Sequence, residues 1–486
     1  MVAVQPIAPL EEPERPSPVE PPPTSANVFA ARMVAIAVAS ALLMEFVDAT
    51  ALSTALPTLA RAFHTDPIHL KLALTSYILA LAVVAPASGW VADRYGPRRV
   101  FLIAMGVFLA SSVMCGLSQS LGELVFFRII QGLGGAMMAP VGRLIVVGAS
   151  PREQLVSAMS WYTMPALVGP LTGPAIAGLI LHFADWPFIF FVNVPIGLLG
   201  MVAVMRFVPR LKQPHPGRFD TLGFVIVAIG LTALVGAAET IGVSLVPVWV
   251  QIAAAAVAIG AGLLFWRHSN RVQKPVLAIK LLRFSTFRTS LIGGTLVRLG
   301  IGATPFLLPL LLQVGLGWSP LKAGLASAAQ AVGILVFKPV APAIIRQFGF
   351  KRVLAVTNLI VAAVTMAPGF FRETTPLWLI VGLFGVGGFF RSMQFTSINT
   401  IAFADVPITA VSRATTLSTV VQQVGLALGI SFGALVLHLA RGSGGALTPD
   451  RFTLPFVVVG AITLIAGPFY QTLAADAGAN VSGHRR

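Results

Sequence analysis

A chain of 486 residues that is 56% hydrophobic and only 10% charged is not a set of soluble domains, which carry about 25% charged residues. Its apolar residues suffice for about 13 or 14 bilayer spans of roughly 20 residues each. The formal net charge of +16 would suggest nucleic acid in a soluble protein. Here the basic residues stand in short loops between apolar stretches, where they set membrane orientation, so no nucleic-acid partner is expected.

The first 28 residues hold eight prolines and five charged residues and read as a disordered tail. Glu11, Glu12 and Glu14 stand where a secretory signal would be basic. Fourteen spans follow, at 33–60, 70–92, 99–118, 122–147, 153–181, 187–208, 221–241, 247–266, 287–315, 320–345, 352–371, 376–403, 411–439 and 452–473. An even number puts both termini on one side. Of the 33 Lys and Arg, 22 then fall in inner segments, 5 within helices and 6 in outer loops, namely Arg61, Lys71, Lys322, Arg372, Arg441 and Arg451. The positive-inside rule places both termini in the cytoplasm. The single cysteine, Cys115, excludes an intramolecular disulfide framework.

The two halves repeat each other. Asp93-Arg94-Tyr95-Gly96-Pro97-Arg98-Arg99 follows the second span, and Arg346-Gln347-Phe348-Gly349-Phe350-Lys351-Arg352 follows the tenth. Gly169, Gly173 and Leu181-His182 align with Gly425, Gly429 and Leu437-His438. The expected fold is an all-α integral membrane protein. It comprises a Pro-rich tail (1–28), a six-helix bundle (29–210), two inserted helices (211–275), a second six-helix bundle (276–475) and a tail (476–486). Transporters built from repeats hold their substrate at the repeat interface.

Charges inside spans are costly, about 2.5–3.5 kcal/mol each by insertion scales, and so mark candidate sites. Seven are counted: Glu45, Asp48, Arg128, Arg143, Arg298, Lys338 and Arg391. Glu45 and Asp48 are three apart and share a helix face. Two carboxylates held away from water can take up and release a proton, as coupling to a proton gradient requires. Equally, Asp48 and Arg128 lie at similar depth and can form a structural ion pair. Gly169, Gly173 and Gly178, interleaved with Pro165, Pro170 and Pro174, allow close helix packing and bending. Trp161, Tyr162, Phe306 and Phe395 are candidate cavity-lining aromatics. Gly132-Leu133-Gly134 lies inside an apolar helix and is no nucleotide loop, and no Lys-Ser/Thr phosphate loop occurs, so ATP-driven pumping is not expected. The seven His show no metal-ligand spacing and no nucleophile–base pair is readable. No enzyme activity, metal or cofactor is expected.

Several stretches resemble motifs of the major facilitator superfamily, in its fourteen-helix drug:proton antiporter branch. Gly89-Trp90-Val91-Ala92-Asp93-Arg94-Tyr95-Gly96-Pro97-Arg98-Arg99 is similar to the loop motif after the second helix. Arg128-Ile129-Ile130-Gln131-Gly132-Leu133-Gly134-Gly135-Ala136 resembles the fourth-helix motif, and Gly169-Pro170-Leu171-Thr172-Gly173-Pro174 through Gly178 the fifth-helix antiporter motif. Asp48 with Thr50 and Ala55-Leu56-Pro57 resembles the first-helix motif, and Asn193-Val194-Pro195-Ile196-Gly197 a sixth-helix one. The resemblance covers residues 30–475.

The resemblance implies proton-driven antiport of small amphipathic molecules by alternating access, in a monomer of the bacterial plasma (inner) membrane. It implies a switching role for Arg128 beside Asp48. It further implies an inner gate at Asp93, to which Arg143 lies close in depth. Uptake or facilitated diffusion on the same fold is an alternative, as is a receptor or scaffold without transport. The second half holds Arg298, Lys338 and Arg391 and no acid in its spans. Guanidinium groups favour carboxylates and phosphates, so export of organic anions is a further alternative. Pairing of these basic residues with helix ends or with the acids of the first span is the competing explanation.

Overall fold

The computed structural model describes residues 25–151, 154–210, 217–241, 246–337, 340–407, 410–442, 445–474 and 476–479. Within these, the side chains of 25–28, 156, 165–167, 170–171 and 337 are not described. Most of both expected tails, Lys338 and the side chain of Pro170 therefore lie outside the described residues.

The described residues form helices joined by short links. In the first half run α1 (Ser25–Ala62), α2 (Lys71–Tyr95), α3 (Pro97–Leu117), α4 (Leu121–Ala149), α5 (Leu155–Thr163), α6 (Pro165–Phe183), α7 (Phe188–Phe191) and α8 (Asn193–Phe207). Then come α9 (Thr221–Thr240) and α10 (Val248–Arg271). The second half comprises α11 (Ser285–Gly302), α12 (Thr304–Leu310), α13 (Pro320–Phe337), α14 (Ala341–Met366), α15 (Leu377–Ile401), α16 (Val411–Arg441) and α17 (Thr453–Gln471). Twelve helices or helix runs among the described residues are long and apolar enough to cross a membrane. Thr172–Phe183 and Pro320–Val336 are shorter apolar helices.

Local chemistry explains the breaks. The expected span 153–181 divides at Met164, because Pro165 has no N–H with which to continue the ladder of α5. The span 287–315 becomes α11, α12 and a π-helical turn at Leu311–Gly315, with Pro305 and Pro309 interrupting regular bonding. Helix α4 starts at a cap in which Ser120 Oγ accepts from the Glu123 N–H and the Glu123 carboxylate accepts from the Gln119 N–H. Gly96 (φ 91°) and Gly349 (φ 72°) occupy the left-handed region, where a side chain is strained. These two turns stand at the repeat-related places read from the sequence, and Gly349 divides α14 in two.

The packing repeats as well. Helix α6 lies on α1, and α16 lies on α11. A Cβ at Gly169 would collide with Phe46 and one at Gly173 with Thr50. On α16 a Cβ at Gly429, the counterpart of Gly173, would stand 2.6 Å from the Leu299 carbonyl, and one at Gly433, a turn further on, 2.6 Å from Ala303 Cβ. The halves meet through α6 against α13 and α2 against α16. At the first of these, Gly178 approaches the Pro320 carbonyl and Gly324 the Pro174 carbonyl, closer than any side chain would permit.

One end of the bundle is shared and the other is not. A single apolar core joins Ala51–Ala60 and Ile68–Leu74 of the first half to Ala303–Leu316 and Phe452–Val459 of the second. All of these lie toward the end that carries the 63–70 turn. Toward the end that carries Gly96, Val38, Phe101 and Val141 belong to a first-half core. Ile345, Phe350 and Tyr470 belong to a separate second-half core. Polar contacts add to the shared end. Gln313 Nε2 donates to the Thr54 carbonyl at 2.7 Å, and Arg441 pairs with Asp66.

Candidate transport site

The first half contains a buried ionic network centred on Asp48. The Asp48 and Arg128 side chains are each 1% exposed. Arg128 Nη1 stands 2.5 Å from Asp48 Oδ2. The other carboxylate oxygen, Oδ1, accepts from Gln131 Nε2 at 3.0 Å and from Asn193 Nδ2 at 2.9 Å. Arg128 Nε donates to the Ala73 carbonyl at 3.1 Å, and Nη1 also donates to Gln131 Oε1 at 2.7 Å. The Tyr77 ring covers the guanidinium, 4.2 Å from its centroid. Asn193 is in turn fixed by Ser112 Oγ at 3.0 Å. Five helices thus converge on one carboxylate: α1 supplies it, and α2, α3, α4 and α8 hold its partners.

The local sequence explains the convergence. Arg128 and Gln131 are three apart and share a face of α4. On that helix Gly132 approaches the Tyr77 carbonyl and Gly134 the Ala104 carbonyl, so α2 and α3 both lie within reach. A buried ion pair is tolerated only when its remaining hydrogen-bonding capacity is met, which Gln131, Asn193 and Ala73 do.

Glu45 lies one turn before Asp48, half-buried, with a buried Oε2 that has no hydrogen-bond partner. Asp93 and Arg143, placed together at the expected gate, form no ion pair here: Arg143 is exposed and Asp93 partly so. Both lie toward the end where the halves have separate cores.

The second half treats its charges differently. Arg391 on α15 donates to Gln330 Oε1 at 3.1 Å, Thr365 Oγ1 at 3.3 Å and Thr304 Oγ1 at 3.4 Å. Arg298 on α11, 3% exposed, donates to Asn399 Oδ1 at 3.1 Å and lies 5.2 Å from the Phe395 ring. The Nε of each arginine is buried without a partner, and among the described residues no ion pair involves either.

Three expectations need correction. Phe306 is 0% exposed within the shared core, and Tyr162 is buried with its hydroxyl donating to the Ala139 carbonyl at 2.5 Å. Both face the core in this conformation, since residue type does not tell which way an aromatic faces. Trp161 is half-buried and covered by the Arg32 guanidinium at 4.0 Å. The count of seven membrane charges omitted Glu239 and assigned Lys71 to an outer loop. Both are buried in helices and face each other at 3.3 Å, and pairing is what permits them there.

The family model of the Major Facilitator Superfamily matches residues 38–274 and 290–484. The chain belongs to this superfamily. It is 35% identical over 431 residues to the MdtD protein of Pectobacterium atrosepticum, covering 87% of this chain and 92% of that one. It is 36% identical over 426 residues to an Escherichia coli MdtD, covering 86% and 89%. Both relatives carry a name that assigns them provisionally to multidrug resistance. The fold is shared with solved structures of a D-xylose–proton symporter (TM-score 0.66, 16% identity, 93% of this chain and 99% of that one). An auto-inhibited peptide transporter of the POT family also shares it (TM-score 0.70, 13% identity, 91% and 97%). As a superfamily member the chain is a multi-pass membrane transporter of small molecules and not an enzyme.

Proposed function

We propose that the chain is a proton-coupled exporter of small amphipathic molecules, drugs among them, working by alternating access in the bacterial inner membrane. The observation that carries this reading is the buried Asp48 carboxylate, bound at once by Arg128, Gln131 and Asn193. Protonation of Asp48 weakens its hold on Arg128 and frees a cationic partner in one state only. That is the coupling an ion gradient requires, and it needs no cofactor. Glu45, on the same helix face, is the second proton acceptor. The names of the relatives support drug-like cargo.

In this reading there are fourteen spans, the twelve long helices plus Thr172–Phe183 and Pro320–Val336 completed by their neighbouring segments. Residues 29–210 and 276–475 are the two six-helix bundles and 211–275 the inserted pair. The basic Gly96 end faces the cytoplasm with both termini, so the shared core lies outside and the conformation is inward-facing. Asp93 and Arg143 approach each other when the inner end closes. Helices α6 and α16, with their small residues, are the surfaces on which the halves rock.

Transport by vesicles under a proton gradient is the test. Asp48→Asn keeps the size and removes the titrating charge. It is expected to abolish proton-driven export while the protein still reaches the membrane, whereas a full pH-dependent rate would transfer the role to Glu45. For topology, a cysteine in the 272–283 segment is expected to react only with reagents that enter the cell.

A second reading, export of organic anions, is favoured by one observation. Arg298 and Arg391 have only neutral partners, and a buried guanidinium is best satisfied by a carboxylate or phosphate. Under this reading Arg391→Gln depresses export of anionic compounds and leaves permanent dications unaffected. Strong dication export, unchanged in the variant, would exclude it.

A further inference from the structure

The inserted helices carry a buried acid at the junction of both halves. Lys71, at the start of α2, is 2% exposed and Glu239, near the end of α9, is 7% exposed. Lys71 Nζ lies 3.3 Å from Glu239 Oε2 and donates to the Glu239 main-chain carbonyl at 3.0 Å. From the opposite side, Ser431 Oγ on α16 donates to Glu239 Oε1 at 2.5 Å. One side chain of the insert therefore touches α2 of the first half and α16 of the second, at the end where the halves share a core.

The other end of the insert is fastened differently. Ile226 and Val227 of α9 and Phe265 of α10 belong to an apolar core with Leu277, Phe287 and Leu417 of the second half. From the first half, Trp90 reaches the segment just before α9: its Nε1–H donates to the Gly217 carbonyl and its ring stands 5.2 Å from Phe219. The insert thus joins a second-half core at one end, while α9 packs on both α2 and α16 and carries the ion pair at the other.

We infer that Glu239 is a positioning residue: it straps the inserted helices across the closed outer end, and its Ser431 contact opens when the halves rock while its Lys71 pair holds. The two arms are unequal. Breaking the Lys71 arm would leave a buried ammonium without a counter-charge, a far larger penalty than the loss of one hydroxyl bond. Ser431 has a ready substitute acceptor, because its Oγ also lies 3.0 Å from the Ala427 carbonyl of its own helix. Its single proton can pass from Glu239 to Ala427 without becoming unsatisfied. The insert therefore tilts the balance toward the outward-closed state. This role rests on the alternating-access reading above.

The test uses the full-length protein in vesicles, in a Cys115→Ser background with a reporter cysteine at Thr54→Cys, beside the contact to Gln313. Labelling by an impermeant maleimide from the outer side reads how often that end opens. Ser431→Ala is expected to raise labelling by about tenfold, equivalent to about 1.4 kcal/mol, the scale of one net hydrogen bond, since Ser431 keeps Ala427 as an alternative acceptor. Glu239→Gln keeps a side-chain oxygen that accepts from Ser431 but loses the charge, so it is expected to raise labelling by less than Ser431→Ala. Unchanged labelling in Ser431→Ala would overturn the inference. Proton-driven export by the parent in the same vesicles is scored separately. Its absence would count against the transport reading, whereas equal labelling counts against the strap.

Discussion

Arg128 and Arg391 both lie inside the bundle, one in each half, yet only Arg128 meets a carboxylate. Around Arg128 the charge is met: Asp48, Gln131 and the Ala73 carbonyl accept from its Nε and Nη1, and Gln131 and Asn193 donate to Asp48. Around Arg391 the acceptors are one amide and two hydroxyls, and Nε has none. The repeat-related halves have therefore diverged in chemistry while keeping their helix packing. In the proposed reading one half stores the coupling proton and the other offers positive charge to a ligand.

The contrast is tested hardest at Arg128. Arg128→Ala leaves Asp48 buried and unpaired, so a loss of about 3–5 kcal/mol is expected, read as a large fall in melting temperature in detergent. Arg128→Lys is expected to recover only part of it, because an ammonium lacks the planar fork that serves Ala73, Asp48 and Gln131 together. Next is Asn193→Ala, which strips one donor from a charged acceptor and is expected to cost about 1.5–3 kcal/mol. Arg391→Gln removes a charge that has no counter-ion, so the loss is expected to be about 1 kcal/mol, the scale of an ordinary hydrogen bond. A fall at Arg391 as large as at Arg128 would erase the difference between the halves.

The smallest effect separates these membrane charges from a charge outside the spans. Asp220 caps α9, accepting from the Gly223 N–H at 2.9 Å, from the Val276 N–H at 3.0 Å and from His268 Nε2 at 2.7 Å. Burial alone would raise its pKa, but the Gly223, His268 and Val276 contacts outweigh burial and hold it below the ordinary carboxylate value. A depressed folded pKa contributes stability that is present above the unfolded value of about 3.9 and is lost as pH falls through the folded value. Wild type is thus expected to lose melting temperature between about pH 5 and 3 relative to Asp220→Asn. Parallel curves would show that the cap carries no titrating contribution.

Much of this architecture is legible in the sequence because the bilayer demands long apolar helices, and because Gly96 and Gly349 mark the same turn twice. The Asp48–Arg128 pair could be anticipated from depth alone. Gln131 and Asn193 could not, since a neutral amide in an apolar stretch announces no partner, although both stand in the quoted motifs. Lys71 reads as an outer-loop residue and Glu239 goes uncounted within its span for a related reason. Hydropathy reads each charge singly, whereas a partner 168 residues away lets both stay inside. Phe306 and Tyr162 show the remaining gap: composition does not tell a core-facing aromatic from one facing a cavity.

Proton release from purified protein tests the central claim most directly. Wild type in weakly buffered detergent near pH 7 is expected to release protons when a transported substrate is added, and Asp48→Asn to bind the same substrate with no release. Equal release by the variant, or substrate binding by wild type without any release, would contradict the assignment of the coupling proton to Asp48.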